Sequence, residues 1–311
     1  MQTKLAVNIG KLKLKNPVMV ASGTFGYAQE FKDFMDLKSL GAIVTKTITV
    51  RPRRGNPAPR TCETPAGLLN SIGLENPGVN EFIKDKIPFL LDIGTPIIVS
   101  IASEKNADEF MVLTEKLNKI KQLKAFELNI SCPNVKDDLN RAQSKALISQ
   151  DPQATYNLIR KVRKATDRVI ITKLSPNVSS ISEIAIAAEK GGSDAISLIN
   201  TLSGMSIDIM NMKPKLGAVT GGLSGPAVRP VAVKMVWDVF QKVNIPIIGM
   251  GGISDTESAL EFMIAGATAV SIGTANFINP HACTDIISGI KEYMLNNNIA
   301  DIKKIVGKVK I

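Results

Sequence analysis

The stretch Glu127-Leu128-Asn129-Ile130-Ser131-Cys132-Pro133-Asn134 decides how the chain is read. Phe126, Leu128 and Ile130 alternate with polar residues, which is the period of a buried β-strand. Pro133 ends the strand, because proline lacks an N–H and holds the residue before it extended. The strand therefore delivers an amide, Asn129, and a thiol, Cys132, to one rim of its sheet. A thiol at a strand end beside polar amides is a candidate base or nucleophile, whereas a lone buried cysteine only fills space. What the rest of the chain brings to the same rim separates these two readings.

Seven further apolar runs punctuate the chain, at 18–22, 42–47, 96–102, 169–174, 195–200, 246–251 and 269–273. Helical spacing of apolar residues fills the intervals at 31–37, 79–91, 105–121, 152–165, 180–190, 227–241 and 255–265. Eight strands alternating with helices predict parallel pairing, since parallel strands need crossover connections. A single α/β domain over 1–311, a (β/α)₈ TIM barrel with insertions after strands two, four and six, accounts for the 311 residues. A doubly wound open sheet is the alternative. The first insertion is rich in Arg, Pro and Gly and runs to Pro77. The second contains a polar loop at 135–143, long enough to act as a lid.

Composition narrows the function classes. The hydrophobic fraction of 44% supports a sizeable core. Three cysteines (Cys62, Cys132, Cys283), far apart and odd in number, form neither a disulfide framework nor a metal-ligand spacing, and fit a reducing, cytoplasmic setting. The single histidine, His281, follows Asn279-Pro280 at a turn and argues against a metal centre or a histidine triad. The N-terminal residues alternate Lys with apolar side chains, without a signal-peptide core, and no apolar run reaches membrane-spanning length. The net charge of +10 is scattered, aromatics are only 5%, and no nucleic-acid motif occurs. Lysine-rich patches at 116–124 and 303–309 read as solvent-facing helix surfaces.

The barrel reading predicts that ligands gather at the C-terminal ends of the strands. Those ends carry, in order, Ser22-Gly23, Lys46-Thr47, Ser100, Asn129 with Cys132, Lys173, Asn200-Thr201, Gly251-Gly252 and Gly273-Thr274. Glycines after strands seven and eight let backbone approach a phosphate, and Gly225 joins them, so a phosphate-bearing cofactor is expected. Lys46 and Lys173 place fixed positive charge on a rim with no acidic strand-end residue, suited to an anionic ligand. Asn70, Asn129 and Asn200 suit a planar ligand with several N–H and C=O groups. A Schiff-base lysine would leave Cys132 and the asparagines without a use, and a non-catalytic phosphate-binding barrel would leave Cys132 idle.

These residues resemble the class 1 dihydroorotate dehydrogenases over nearly the whole chain, from Leu5 to Tyr293. The resemblance is carried by Thr64-Pro65-Ala66-Gly67-Leu68-Leu69-Asn70-Ser71-Ile72-Gly73-Leu74-Glu75-Asn76-Pro77-Gly78 and by Asn129-Ile130-Ser131-Cys132-Pro133-Asn134. Gly221-Gly222-Leu223-Ser224-Gly225-Pro226 and Gly249-Met250-Gly251-Gly252 add to it. The run 51–60 and the Glu-Asn-Pro-Gly step at 75–78 resemble the NAD-linked, type B branch more than the homodimeric fumarate-using one.

The resemblance implies FMN in this chain and flavin-dependent oxidation of (S)-dihydroorotate to orotate in pyrimidine biosynthesis. It also implies a smaller partner subunit carrying FAD and a [2Fe-2S] cluster, in a heterotetramer of two subunits of each kind built on a homodimer of this chain. Carried over by position, Cys132 is the base. Lys46, Asn70, Ser71, Ile72, Gly73, Leu74, Asn129, Asn200 and Thr201 meet the substrate. Ser22, Lys46, Thr47, Ser100, Asn129, Lys173, Ile199, Gly225, Gly251, Gly252, Gly273 and Thr274 meet FMN. Ser100 stands where relatives often have asparagine, so its flavin contact is expected to be absent or water-mediated. A dihydropyrimidine dehydrogenase-like reductase, acting on rings without a carboxylate, is the neighbouring alternative.

Overall fold

The computed structural model describes residues 3–130 and 148–310. Cys132 and the 135–143 loop lie outside the described residues. Eight parallel strands close into a barrel: β1 (Val18–Val20), β2 (Ala42–Val44), β3 (Ile97–Ile101), β4 (Ala125–Asn129), β5 (Val169–Lys173), β6 (Ala195–Leu198), β7 (Ile247–Gly249) and β8 (Ala269–Ile272). Each strand pairs with its neighbour in sequence, and β8 closes on β1 through Ile272 opposite Val20. The open-sheet alternative is thereby excluded.

Every residue of these eight strands is buried, which is why each reads as an apolar run: one face meets the helices and the other the barrel interior. The helices carry the complementary stripe. In Pro152–Ala165 the buried residues Thr155, Leu158, Ile159 and Val162 fall on one face. Asp151 caps that helix, accepting from the N–H groups of Gln153 and Ala154, and Pro152 sits where a missing N–H costs nothing.

Two segments depart from the sequence expectation. Between β1 and β2 there is no α-helix, only 3₁₀ turns at Gln29–Phe31 and Leu37–Ser39. Asp36 is extended and its side chain accepts from the Lys38 N–H to cap the second turn, which stops helical backbone inside 31–37, and the apolar spacing instead stacks Phe31 on Phe25 at 4.0 Å between ring centres. Leu37 is buried while Phe34 is exposed. The crossover before β3 is helical in three pieces, Gly78–Glu81, a wider π segment Phe82–Lys86, and Ile87–Asp92. The widening sits just before Pro88, whose ring and missing N–H disturb the regular ladder. The lysines after Ile302 lie on a 3₁₀ turn, Ile302–Lys304, and the residues after it rather than on a helix face.

The insertions after β2 and β6 meet each other. Thr61–Thr64 and Gly67–Asn70 form a hairpin, Leu202–Gly204 pairs with Gly221–Ser224, and Gly221–Ser224 joins the two pairs into a four-stranded antiparallel sheet by pairing with Gly67–Asn70. Gly67 makes this approach possible, since a Cβ there would lie 2.1 Å from the Ser224 carbonyl oxygen. Asn70, at the end of its strand, is thus carried to the C-terminal rim.

Candidate functional site

One cavity of about 290 Å³ opens at the C-terminal ends of the strands. Its wall includes Ser22, Lys46, Thr47, Asn129, Lys173, Ile199, Asn200 and Thr201 from the strand ends, with Asn70, Ile72, Gly73 and Leu74 from the loop after β2. Gly225, Gly251, Gly252, Gly273 and Thr274 complete it. Among the described residues, the structure brings together those singled out on the rim, with two exceptions. Ser100 is fully buried behind Thr47, whose Oγ1 it meets at 2.9 Å, and does not line the cavity. Ser71 is also buried, with its Oγ accepting from Asn56 Nδ2 at 2.8 Å, and braces the loop from behind.

Lys173 is buried at the end of β5, and its Nζ donates to Ser22 Oγ at 3.1 Å. It makes no ion pair within 4.0 Å among the described residues. Asn129 ends β4 opposite Lys173 and donates from Nδ2 to Thr47 Oγ1 at 3.2 Å. Asn200 accepts from the Thr201 N–H at 2.9 Å, and Asn70 donates to the Gly222 carbonyl at 3.3 Å, so both amides are held in place by backbone. Asn177 holds the turn after β6 by donating to the Thr201 carbonyl and accepting from the Ser203 N–H.

The loop Asn70–Leu74 is braced by the arginine-rich insertion. Arg53 Nε donates to the Gly73 carbonyl at 3.1 Å while its Nη1 pairs with Glu104 at 3.1 Å. Arg60 gathers the carbonyls of Asn56 and Arg54 and the Glu75 carboxylate. Leu74, which lines the cavity, sits at φ +56°, a left-handed conformation that costs a branched side chain energy and persists only because neighbours enforce it. The run 51–60, read from sequence only as a family signature, proves to be a set of struts.

The wall fits a polar, phosphate-bearing ligand. Gly225 and Gly252 adopt φ +91° and +79°, and a Cβ on Gly252 would lie 2.7 Å from Arg229 Cβ and 2.8 Å from the Gly225 carbonyl oxygen. Bare backbone therefore forms that side, as a phosphate cradle requires. Thr274 Oγ1 donates to Ser224 Oγ at 2.8 Å beside it. Two buried hydroxyls on the wall, Thr24 Oγ1 and Ser271 Oγ, have no hydrogen-bond partner among the described residues. Unpaired buried hydroxyls are costly, and both of these belong to residues of the cavity wall. Neither was singled out in the sequence, although Ser271 interrupts an apolar strand at an inward position.

A carboxylate also lies below the rim. Glu127 is 2% exposed, and its two oxygens accept from Ser100 Oγ at 3.0 Å and Ser197 Oγ at 3.2 Å. The rim itself has no acid at a strand end, but the barrel interior beneath it does.

Fold and site together define a (β/α)₈ barrel whose C-terminal rim holds a cavity lined by lysines, asparagines and bare glycine backbone. The chain belongs to the dihydroorotate dehydrogenase family: the family model described as "Dihydroorotate dehydrogenase" matches residues 4–294. Relatives named "Dihydroorotate dehydrogenase B (NAD(+)), catalytic subunit" align end to end. The protein from Geotalea uraniireducens is 50% identical over 97% of both chains. That from Thermoanaerobacter pseudethanolicus is 50% identical over 99% of both, and that from Trichlorobacter lovleyi 48% over 100% of both. The resemblance read from the sequence, including its NAD-linked branch, is borne out. No helix among the described residues is long and apolar enough to cross a membrane.

Proposed function

We propose that this chain is the catalytic subunit of an NAD-linked dihydroorotate dehydrogenase and oxidises (S)-dihydroorotate to orotate in pyrimidine biosynthesis. The observation that carries this reading is the convergence of Lys46, Asn70, Asn129, Asn200 and Lys173 on one cavity with a bare-backbone cradle, in a member of this family. FMN, when bound, supplies the acceptor for the hydride that leaves C6 of the substrate.

The chain's own residues bind, orient and deprotonate. Gly225, Gly251, Gly252, Gly273 and Thr274 would hold the phosphate, and Lys173, Ser22, Thr47 and Ile199 the rest of the cofactor. Asn70, Asn129 and Asn200 offer paired donors and acceptors to a flat pyrimidine, which fixes its rotation. Lys46 beside them favours a substrate with a carboxylate over a uracil-like ring. Cys132, outside the described residues but three positions beyond Asn129, removes the C5 proton as a thiolate. A smaller partner subunit carrying FAD and a [2Fe-2S] cluster would link this chain to NAD⁺, with two of each chain in a heterotetramer.

Spectra of the purified protein test this reading. It should be yellow, bleach anaerobically with dihydroorotate but not with dihydrouracil, and release orotate. A colourless protein that takes up no FMN would overturn it, as would bleaching by dihydrouracil alone.

A further inference from the structure

Glu127 and Lys173 are the only charged residues among the described ones that are buried, and the proposed reaction gives Glu127 no part. Its surroundings set the direction of a hydrogen-bond chain. A carboxylate only accepts, so Ser100 must spend its single hydroxyl proton on Glu127 Oε1, at 3.0 Å. Ser100 Oγ is then an acceptor towards Thr47, 2.9 Å away, which fixes Thr47 as the donor of that pair. With its proton spent, Thr47 Oγ1 accepts from Asn129 Nδ2 at 3.2 Å. Every step runs the same way, from Asn129 down to the carboxylate. Ser197, from β6 on the far side of β5, closes on the other carboxylate oxygen and holds the headgroup across the barrel interior.

We propose that Glu127 is a positioning residue that sets the polarity of the ligand site through Ser100 and Thr47. The buried anion orders the two hydroxyls, and they fix which way round the Asn129 amide stands: the NH₂ branch towards Thr47, the carbonyl on the other branch. An asparagine that could flip would offer a planar ring donors and acceptors in either order, so the fixed amide is a specificity device for a pyrimidine. Bonds to an ionised acceptor are stronger than neutral ones, and successive hydrogen bonds polarise one another, so the ordering reaches the rim. This inference rests on the proposed substrate class only for what the amide reads, not for the relay itself.

Glu127→Gln tests it, because glutamine keeps the shape but can donate as well as accept, which removes the enforced direction. The first readout is the side-chain amide resonance of Asn129 in asparagine-labelled protein without ligand. It should shift or double in Glu127→Gln, although Glu127 makes no bond to Asn129. In a Ser100→Ala background the same substitution should cause no additional change, since the relay is already cut. The second readout is orotate affinity of the FMN-loaded protein by calorimetry, expected to weaken by about tenfold in Glu127→Gln, the size of one misdirected hydrogen bond. An unmoved Asn129 resonance with only a lowered melting temperature would reduce Glu127 to a structural group and overturn the proposal, as would a Ser100→Ala background that left the response intact. Should Glu127→Gln fail to fold, Ser100→Ala alone, which leaves the Thr47–Asn129 bond in place, must move the Asn129 resonance, and an unmoved resonance there overturns the proposal. An Asn129 resonance that moves in Glu127→Gln, together with a wild-type protein that binds no orotate, would keep the relay and refute the substrate reading instead.

Discussion

Lys173 Nζ donates to Ser22 Oγ at 3.1 Å across the mouth of the barrel, joining the end of β5 to the turn that follows β1. A lysine only 5% exposed with no carboxylate paired to it among the described residues is an uncompensated charge, and such a charge is retained where it meets an anion. Lys173→Met is expected to lower the midpoint potential of the bound flavin by on the order of 30 mV, a tenfold equilibrium effect for two electrons. Ser22→Ala, which keeps the charge and loses one donor–acceptor pair, should shift it far less. Redox titration of both variants measures the difference.

Gly252 predicts a loss that discriminates between flavins. At φ +79°, with Arg229 and the Gly225 carbonyl within 2.8 Å of any Cβ, alanine would force the cradle open. Gly252→Ala should weaken FMN binding by at least tenfold. Riboflavin, which has no phosphate, should bind the variant and the wild type alike. Fluorescence titration with both ligands checks it; equal losses for the two would place the damage elsewhere in the cavity.

Arg53 supports the loop Asn70–Leu74 without lining the cavity. Arg53→Ala removes the bond to the Gly73 carbonyl and the pair with Glu104, together worth about 1–2 kcal/mol. The expected result is a KM for dihydroorotate raised roughly tenfold with kcat changed little, because the loop loses its hold rather than its chemistry. Arg53→Lys should not rescue it, since an ammonium cannot span both partners as a planar fork does.

The barrel was legible because its strands are buried on both faces, so each appears as an unbroken apolar run. The rim residues followed from the strand ends, and the cavity gathers nearly all of them. The failures have common causes. The helix expected over 31–37 had apolar spacing, but Asp36 within it is extended and caps the turn that follows, a local choice that spacing does not encode. The antiparallel sheet over the rim joins Asn70 to Gly222, 152 positions apart, and nothing local announces such a pairing. Ser100 was placed on the rim because strand ends were counted in residues, while the inward alternation of β3 sets it one layer lower, behind Thr47. Glu127 passed as a strand's polar alternate, because one sequence does not show that hydroxyls from β3 and β6 wait opposite it.

The two cysteines described in the structure should separate cleanly in a thiol titration. Burial, and then the nearby Asp285 charge, push the Cys283 thiol up to about 12. Cys62 lies half-buried on the hairpin strand. In a Cys132→Ser background, an aromatic disulfide reagent at pH 8 should label Cys62 in the native protein and Cys283 only after denaturation. The folded pKa of Cys283 is above its unfolded value, so the stability this thiol contributes is complete below about pH 9 and declines as pH rises towards 12. Denaturant midpoints across that range should flatten in Cys283→Ala.

The pH dependence of turnover tests the base. A thiol with an ordinary pKa of about 8.5 is mostly protonated at neutrality, so a reaction that needs the thiolate accelerates with rising pH and levels off once Cys132 has ionised. Positive charge from Lys46 and Lys173 on the same rim would move that limb to lower pH, and Lys46→Met should move it back up if the two groups face each other. Cys132→Ser should bind FMN as the wild type does, yet turn over slower by two or more orders of magnitude near pH 7, because a hydroxyl is a far poorer base. Its rate should go on climbing at pH values where the wild type has reached its plateau. A Cys132→Ala protein that kept wild-type rates across the whole range would assign proton removal to another group, and the amides on the rim would then orient a substrate deprotonated from elsewhere.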